Sequence, residues 1–168
     1  MAPTHSVPGK TISRDGGAPR GWDEALAALE RAFTFWLATI DGDGKPHLVP
    51  VLAVVVEGRV YVAAGAGTRK ARNLARDPRC ALATEVEGLD VTIEGRARPT
   101  REEAILRAVA DAYASKYEWR VTVRDGAFHD AEGAPTAGPP PYDVYELQPA
   151  TGYGFGTVEP ARSTRWRF

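Results

Sequence analysis

The apolar residues of the chain fall into short runs that are separated by Gly, Asp and Pro turn signals. Runs of this length, rich in β-branched and aromatic residues, predict strands rather than long helices. The predicted strands cover residues 35–40, 46–56, 59–64, 79–86, 89–99, 142–147 and 152–156. Pro50 interrupts the second of them and has no N–H to donate, so we expect a sheet edge or a bulge at that position.

Helical spacing is confined to three segments. Apolar residues separated by four, three and four positions begin at Trp22 and predict a short amphipathic helix. A second short helix is predicted over residues 69–76, where Asp77-Pro78 stops it. Thr100 and Glu103 have the spacing of a capping box and predict the start of a third helix.

Short meandering strands with few helices predict a mainly β fold with flanking helices, in the form of a small antiparallel barrel. We expect residues 1–20 to form a flexible N-terminal arm and residues 21–168 to form one domain. Alternating glycines in 152–156 leave one strand face without side chains, so that a backbone or a ring can approach closely. The Pro-rich stretch 122–141 predicts a long loop that borders a pocket.

Composition narrows the class of protein. A chain of 168 residues with 43% hydrophobic and 26% charged residues is typical of a globular domain. The net charge of −1 gives no support to nucleic-acid or membrane-surface binding. The single cysteine, Cys80, excludes an internal disulfide, and no apolar run approaches the roughly 18 residues of a membrane span. We therefore expect a cytoplasmic protein.

The strongest candidate site lies at the predicted start of the second helix. Thr68 is suited to be its N-cap, and Arg69, Lys70 and Arg72 place three cations in the first turn. Cations at a helix N-terminus are unfavourable by a few tenths to about 1 kcal/mol each. A bound phosphate would reverse that cost, because the helix dipole and the side chains would then act together. The alternative is a solvated basic turn.

Two other segments carry unusual chemistry. A strand that loses a hydrogen bond at Pro50 exposes backbone groups that a flat heterocycle with imide edges can use; the alternative is a simple bulged edge. The C-terminal tail contains Trp166, Arg167 and Phe168, although frayed termini seldom carry aromatic residues. The tail either packs on its own barrel or reaches a partner subunit, where Trp166 would flank a ring and Arg167 would pair with a carboxylate or phosphate.

Taken together, these segments resemble a known family. The chain resembles the pyridoxamine 5'-phosphate oxidase-like split β-barrels, which include flavin- and deazaflavin-dependent oxidoreductases. The resemblance covers roughly residues 25–168, and its most specific part is the segment that begins at Thr68. The matching motifs are Leu37-Ala38-Thr39, Gly44-Lys45-Pro46-His47, Val49-Pro50-Val51, Thr68-Arg69-Lys70-Ala71-Arg72-Asn73-Leu74, Asp77-Pro78-Arg79 and Val91-Thr92-Ile93-Glu94-Gly95-Arg96-Ala97.

The resemblance implies an FMN-binding fold, an antiparallel split barrel of six to seven strands. It also implies a homodimer with two cofactor sites at the subunit interface. In such proteins the segment equivalent to Thr68, Arg69 and Lys70, with Asn73 nearby, binds the cofactor phosphate. Val49, Pro50 and Val51 would run beside the cofactor ring. Trp166 and Arg167 would reach the site from the other subunit.

The function implied is hydride transfer between a flavin or deazaflavin ring and a small unsaturated or carbonyl-bearing molecule. Coenzyme F-420 is the favoured cofactor, since the chain looks closest to the actinobacterial deazaflavin-using branch, and FMN is the alternative. Two other readings stay open: a non-catalytic FMN, haem or tetrapyrrole carrier, and an FMN-dependent pyridoxamine 5'-phosphate oxidase. The sequence assigns no catalytic residue, no metal site and no substrate, although His47, Tyr142 and Tyr145 are candidate proton donors.

Overall fold

The computed structural model describes residues 7–14, 16–129 and 138–168. Over those ranges the chain forms three helices and one eleven-stranded antiparallel sheet. The helices are α1 Trp22–Arg31, α2 Arg69–Arg76 and α3 Glu103–Tyr117. The strands are β1 Gly9–Thr11, β2 Phe35–Ile40, β3 Pro46–Val51, β4 Ala53–Val56, β5 Arg59–Gly65, β6 Arg79–Val86, β7 Leu89–Thr100, β8 Thr122–Arg124, β9 Ala127–His129, β10 Tyr142–Gly156 and β11 Ser163–Arg167.

The long strand β10 organises the sheet. Its first half pairs with β5, its second half pairs with β11, and β7 runs along the other side of both halves. A register shift between Pro149 and Thr151 marks the change from one half to the other. The main path of the sheet is β1-β11-β10-β7-β6-β2-β3, while β4 and β5 branch from β10. The mainly β fold with flanking helices is therefore confirmed.

The predicted strand 46–56 is two strands. β3 pairs with β2 through Val51 opposite Phe35, whereas β4 pairs with β5 through Ala53 opposite Val62. The break falls at Leu52 and not, as predicted, at Pro50. Pro50 is accommodated inside β3 because β3 is the last strand of the sheet path, where a missing N–H removes no ladder bond. The expected sheet edge is thus confirmed.

Two hydrophobic clusters form the core. The barrel cluster includes Trp22, Leu29 and Phe35, and the second cluster lies under α3 around Tyr113 and Phe128. These clusters fix the sheet against α1 on one side and α3 on the other. The functional segments are attached to this rigid frame.

Part of the segment that we expected to be a flexible arm, residues 1–20, is paired in the sheet. Gly9–Thr11 forms β1, which pairs with β11 through Lys10 opposite Arg165. The edge of β11 offers unpaired backbone groups, and a nearby extended segment satisfies them. Residues 1–6 and 15 lie outside the described part of the chain.

Two further boundaries differ from expectation. Thr100 ends β7 instead of capping a helix, and α3 has Glu102 as its N-cap. The sheet pairing of Thr100 with Val144 outweighs the local capping signal. The predicted loop 122–141 begins with the hairpin β8–β9, and its residues 130–137 lie outside the described ranges.

None of the helices in the described residues is both long enough and apolar enough to cross a membrane.

Candidate cofactor-binding site

The N-terminus of α2 is built as the sequence predicts. The Thr68 hydroxyl accepts a hydrogen bond from the Ala71 amide at 3.3 Å and donates one to the Gly65 carbonyl at 2.8 Å. The first turn of α2 contains no acidic residue. The helix therefore begins with a fixed cap, unpaired N–H groups and cationic side chains, which together favour an anion.

Polar contacts hold α2 against β2. The Asn73 amide donates to the Thr39 hydroxyl at 3.0 Å, and both side chains are buried. The Arg76 guanidinium donates to the Ile40 carbonyl at 2.8 Å. Leu74 is buried in the barrel cluster and supplies the apolar part of the contact. These contacts place the first turn of α2 beside the end of β2.

The guanidinium of Arg69 lies 2.9 Å from Asp41, the first residue after β2. Asp41 also accepts hydrogen bonds from the amides of Asp43 and Lys45, at 3.0 Å and 2.9 Å. The bond from the Lys45 amide is the largest influence that lowers the pKa of Asp41, and Arg69 adds to it. The ion pair is partly exposed, so Arg69 can exchange Asp41 for a bound anion at small cost.

Two titratable groups near α2 are held toward their neutral forms. Lys70 is only 6% exposed, and burial lowers the pKa of its ammonium group. Burial lowers the pKa of His47 as well, and the charges of Arg69 and Lys70 lower it further, against an opposing effect of Asp41. His47 lies opposite Thr39 in the β2–β3 ladder, on the strand face that meets α2. An anion at this place would stabilise the charged forms of Arg69, Lys70 and His47.

The β3 segment presents two different faces. Val49 is half-buried against the barrel cluster and Val51 is buried within it, so their side chains are committed to packing. Pro50 points to the opposite face, next to Trp36 of β2, and is exposed. Within Val49-Pro50-Val51, the backbone edge and the Pro50 ring are the parts most accessible to a ligand.

The C-terminal tail packs on its own barrel, one of the two alternatives that the sequence left open. Trp166 is fully buried, its Nε1 donates to the Arg20 carbonyl at 3.0 Å, and its ring meets Trp22 edge-on at 5.3 Å. A Cβ on Gly154 would lie 2.6 Å from the Trp166 ring, so the glycine face is needed for this packing. Trp166 is therefore committed to packing within its own chain, which argues against its assignment to the cofactor ring.

Arg167 remains exposed at the end of β11, opposite Thr151. Four strands separate β11 from β3 along the sheet path. Within one chain the structure does not bring Arg167 to the α2 site. It does bring Thr68, Arg69, Lys70 and Asn73 together.

The sequence missed some neighbours of the site. Thr39 belongs to a matching motif, but neither Thr39 nor Asp41 was assigned to the site, because both meet α2 only through folding. A Cβ on Gly138 would lie 2.7 Å from the Thr68 Cγ2 atom, so the far end of the predicted 122–141 loop touches the N-cap. The expectation that this stretch borders the site gains support from that contact.

A groove of about 660 Å³ lies on the outer face of the sheet. Its floor is formed by small apolar residues that include Ala38 and Ala81, and Arg79 and Arg96 stand at its border. Thr39 and Ile40 line one end of the groove and also contact α2. The groove therefore adjoins α2 through the strand residues that Asn73 and Arg76 contact.

A comparison of the chain with known protein families agrees with this geometry. The family model for pyridoxamine 5'-phosphate oxidase matches residues 22–156. The chain belongs to this family. The resemblance that the sequence motifs indicated is thereby confirmed at the level of the family and its fold.

Solved structures share this fold at low sequence identity. A conserved hypothetical protein from Mycobacterium tuberculosis superposes with a TM-score of 0.63 and 23% identity, over 80% of this chain and 83% of that one. A heme-binding protein from Mycobacterium smegmatis superposes with a TM-score of 0.65 and 19% identity, over 89% of this chain and 59% of that one. An FAD-binding protein from Mesorhizobium loti superposes with a TM-score of 0.61 and 14% identity, over 94% of this chain and 98% of that one. No curated protein matches the sequence.

Proposed function

We propose that the protein is a flavin- or deazaflavin-dependent oxidoreductase that transfers hydride between the cofactor ring and a small unsaturated or carbonyl-bearing molecule. The observation that carries this proposal is the acid-free first turn of α2, with Arg69 and Lys70 beside a capped helix N-terminus. Membership in the pyridoxamine 5'-phosphate oxidase family supports it. In the described residues, no group of three or more His, Cys, Asp or Glu side chains is placed to hold a metal ion.

The residues at α2 fit a phosphate group. The helix N–H groups and Thr68 form a cradle, Arg69 turns from Asp41 to the phosphate, and Lys70 adds a second cationic side chain in the same turn. Charge-assisted hydrogen bonds of this kind contribute about 1.5–3 kcal/mol each. Asn73 acts indirectly, because its bond to Thr39 fixes the helix that carries these groups.

The edge of β3 would hold the ring of the cofactor. The Val49-Pro50-Val51 backbone lies on the last strand of the sheet path, where its polar groups are accessible. When bound, the cofactor supplies the hydride chemistry. The protein binds the phosphate, orients the ring against the sheet and excludes water from it.

We further propose a homodimer with the cofactor at the subunit interface. Trp36 and Leu48 are 47% and 59% exposed, although both are large apolar residues of a regular sheet. They share the outer face of β2 and β3 with Pro50. An exposed apolar patch of this kind is typical of an interaction surface. A second copy on this face would also bring an Arg167 toward the site, which one chain alone does not do.

Coenzyme F-420 is the favoured cofactor and FMN the alternative. Both combine a phosphate with a tricyclic ring that has an imide edge, so the α2 and β3 features serve either one. Native mass spectrometry of the protein purified from its own host identifies what it carries. Titration with F-420 and with FMN should give micromolar or tighter binding of at least one. Binding of neither at micromolar concentrations would exclude the proposal.

A second candidate is a carrier without turnover, favoured by the similarity to the heme-binding protein from Mycobacterium smegmatis. The absorption spectrum of the freshly purified protein distinguishes haem or a tetrapyrrole from a flavin. A bound chromophore that reductants and acceptor substrates leave unchanged would favour the carrier. A third candidate, a pyridoxamine 5'-phosphate oxidase in activity as well as in family, predicts oxygen consumption with FMN and pyridoxamine phosphate.

A further inference from the structure

Three side chains of α3 converge on the break between β3 and β4. Lys116 and Tyr117 follow Tyr113 by three and four residues, which is about one helical turn. The three side chains therefore lie on one side of the helix. Their polar groups contact the backbone of Leu52 and Ala53, where the chain leaves β3, the partner of β2, and enters β4, the partner of β5. We call these three side chains the α3 clamp.

The clamp replaces a missing strand partner. The Tyr113 hydroxyl donates to the Leu52 carbonyl at 3.0 Å. The Tyr117 hydroxyl accepts from the Ala53 amide at 3.3 Å and lies 2.9 Å from the Ala53 carbonyl. In an antiparallel ladder, one residue of the neighbouring strand likewise accepts from the N–H and donates to the C=O of the residue opposite it. The backbone at the break is thus satisfied by a side chain instead of a strand.

Proton counting assigns the remaining bonds. The Tyr117 oxygen is also 2.9 Å from the Phe33 carbonyl, but a hydroxyl has one proton to donate. Lys116 Nζ lies 3.1 Å from the Ala53 carbonyl and can supply that bond. The Tyr117 proton is then available to Phe33, two residues before β2 begins. Lys116 also donates to the Leu29 carbonyl of α1 at 3.2 Å.

These bonds fix the open end of the β2–β3 hairpin. Phe33 precedes β2 and Leu52 follows β3, so the clamp contacts the chain on both sides of the hairpin. At the other end, Asp41 accepts the turn amides and pairs with Arg69 of α2. β3 has β2 as its ladder partner and ends the sheet path, so these two anchors determine where its free edge lies.

We propose that Tyr113, Lys116 and Tyr117 are positioning residues that hold the β3 edge in place for the cofactor ring. The inference rests on the proposed function, since that proposal assigns Val49-Pro50-Val51 to the ring. A binding group must be held to within roughly 0.5 Å, and an edge strand alone is a weakly restrained element. None of the three side chains needs to touch the cofactor.

The test compares Tyr117→Phe, Lys116→Met and Tyr113→Phe with a control, Val109→Ala. Val109 is a buried residue of the same helix and packs in the cluster under α3, so its truncation destabilises the fold without removing a clamp bond. Hydrogen exchange is measured on the ligand-free proteins, and FMN and F-420 affinity on the same samples. The use of three clamp variants keeps the test valid if one of them fails to fold.

We expect the β3 amides to exchange about tenfold faster in the clamp variants, with β6 and β7 amides much less affected, and cofactor affinity to fall by a similar factor. The Val109→Ala protein should show a uniform rise in exchange and little loss of affinity. Uniform exchange in the clamp variants, or unchanged affinity with loosened β3, would overturn the positioning role. If the wild-type protein binds neither cofactor, the proposed function fails, and the ring-positioning role fails with it. Faster exchange confined to β3 in the clamp variants would even then show that the clamp holds the strand.

Discussion

The Asn73 amide donates to the Thr39 hydroxyl at 3.0 Å in the interior of the protein, and this bond joins the cationic helix α2 to β2. A buried polar group that loses its partner costs about 1–3 kcal/mol. We expect Asn73→Ala to lower the free energy of unfolding by that amount. Thr39→Val should cost a similar amount, and the double variant should cost less than the sum. Urea unfolding of the four proteins measures the coupling, and strictly additive losses would show that the bond contributes nothing.

Trp166 should matter for stability and not for the ligand. Its ring is enclosed by Trp22 and the glycine face of β10, so Trp166→Ala should cost about 3–5 kcal/mol. Thermal unfolding reports that loss, while the cofactor affinity of the fraction that remains folded should stay near that of the wild type. The matched change is Arg167→Ala, which should leave unfolding unchanged and weaken cofactor binding if a second copy supplies Arg167. A stable Trp166→Ala protein with weak binding would contradict the packing described for the tail.

His47 should make phosphate binding depend on pH. Burial and the charges of Arg69 and Lys70 lower the pKa of His47 in the free protein. A bound phosphate would raise the pKa of His47, so that binding takes up a proton and affinity increases as the pH falls from 8 toward 6. The His47→Gln variant should lose this slope, except for the titration of the phosphate itself. Calorimetry in buffers of different ionisation enthalpy counts the protons, and equal uptake by both proteins would argue against the coupling.

Lys116 should make stability rise with pH in the alkaline range. Burial lowers the pKa of Lys116 to about 8, from 10.5, against a smaller opposing effect of Glu30. Between these two values the unfolded chain binds more protons than the folded one, so the free energy of unfolding increases with pH. Above pH 10 the raised pKa of Tyr117, about 12, acts in the opposite direction.

The measurement is the difference in unfolding free energy between wild type and Lys116→Met at several pH values from 7 to 10. This difference should move in favour of the wild type as the pH rises through 8. A difference that is constant over the range would mean that Lys116 titrates in the folded protein as it does in the unfolded chain.

The parts of the site that could be predicted from the sequence are local ones. Thr68 as N-cap and the stop at Asp77-Pro78 follow from residues within α2 and its flanks, and the structure confirms both. Pro50 indicated an edge because a missing N–H restricts the place of a strand whatever surrounds it. These signals need no knowledge of the tertiary fold.

The parts that could not be predicted depend on residues distant in sequence. Trp166 is buried against Trp22 from the other end of the chain, and β1 exists because β11 offers it an edge. Thr100 has a good capping pattern, but its pairing in the sheet prevails. The contacts of Lys116 with the β3–β4 break likewise join residues more than sixty positions apart.

The central claim is that Arg69 and Lys70 at the start of α2 bind the phosphate of the cofactor. The most direct test is calorimetric titration with FMN and with riboflavin, which differ by that phosphate, and the same comparison for F-420 and its phosphate-free deazaflavin core. The wild-type protein should prefer the phosphorylated molecule by tenfold or more, which is about 1.4 kcal/mol or more. The Arg69→Ala, Lys70→Ala double variant should lose the preference, while Arg107→Ala, which removes a guanidinium paired with Glu103 on α3, should keep it. Equal affinity of the wild type for both forms, or a preference that survives in the double variant, would contradict the account.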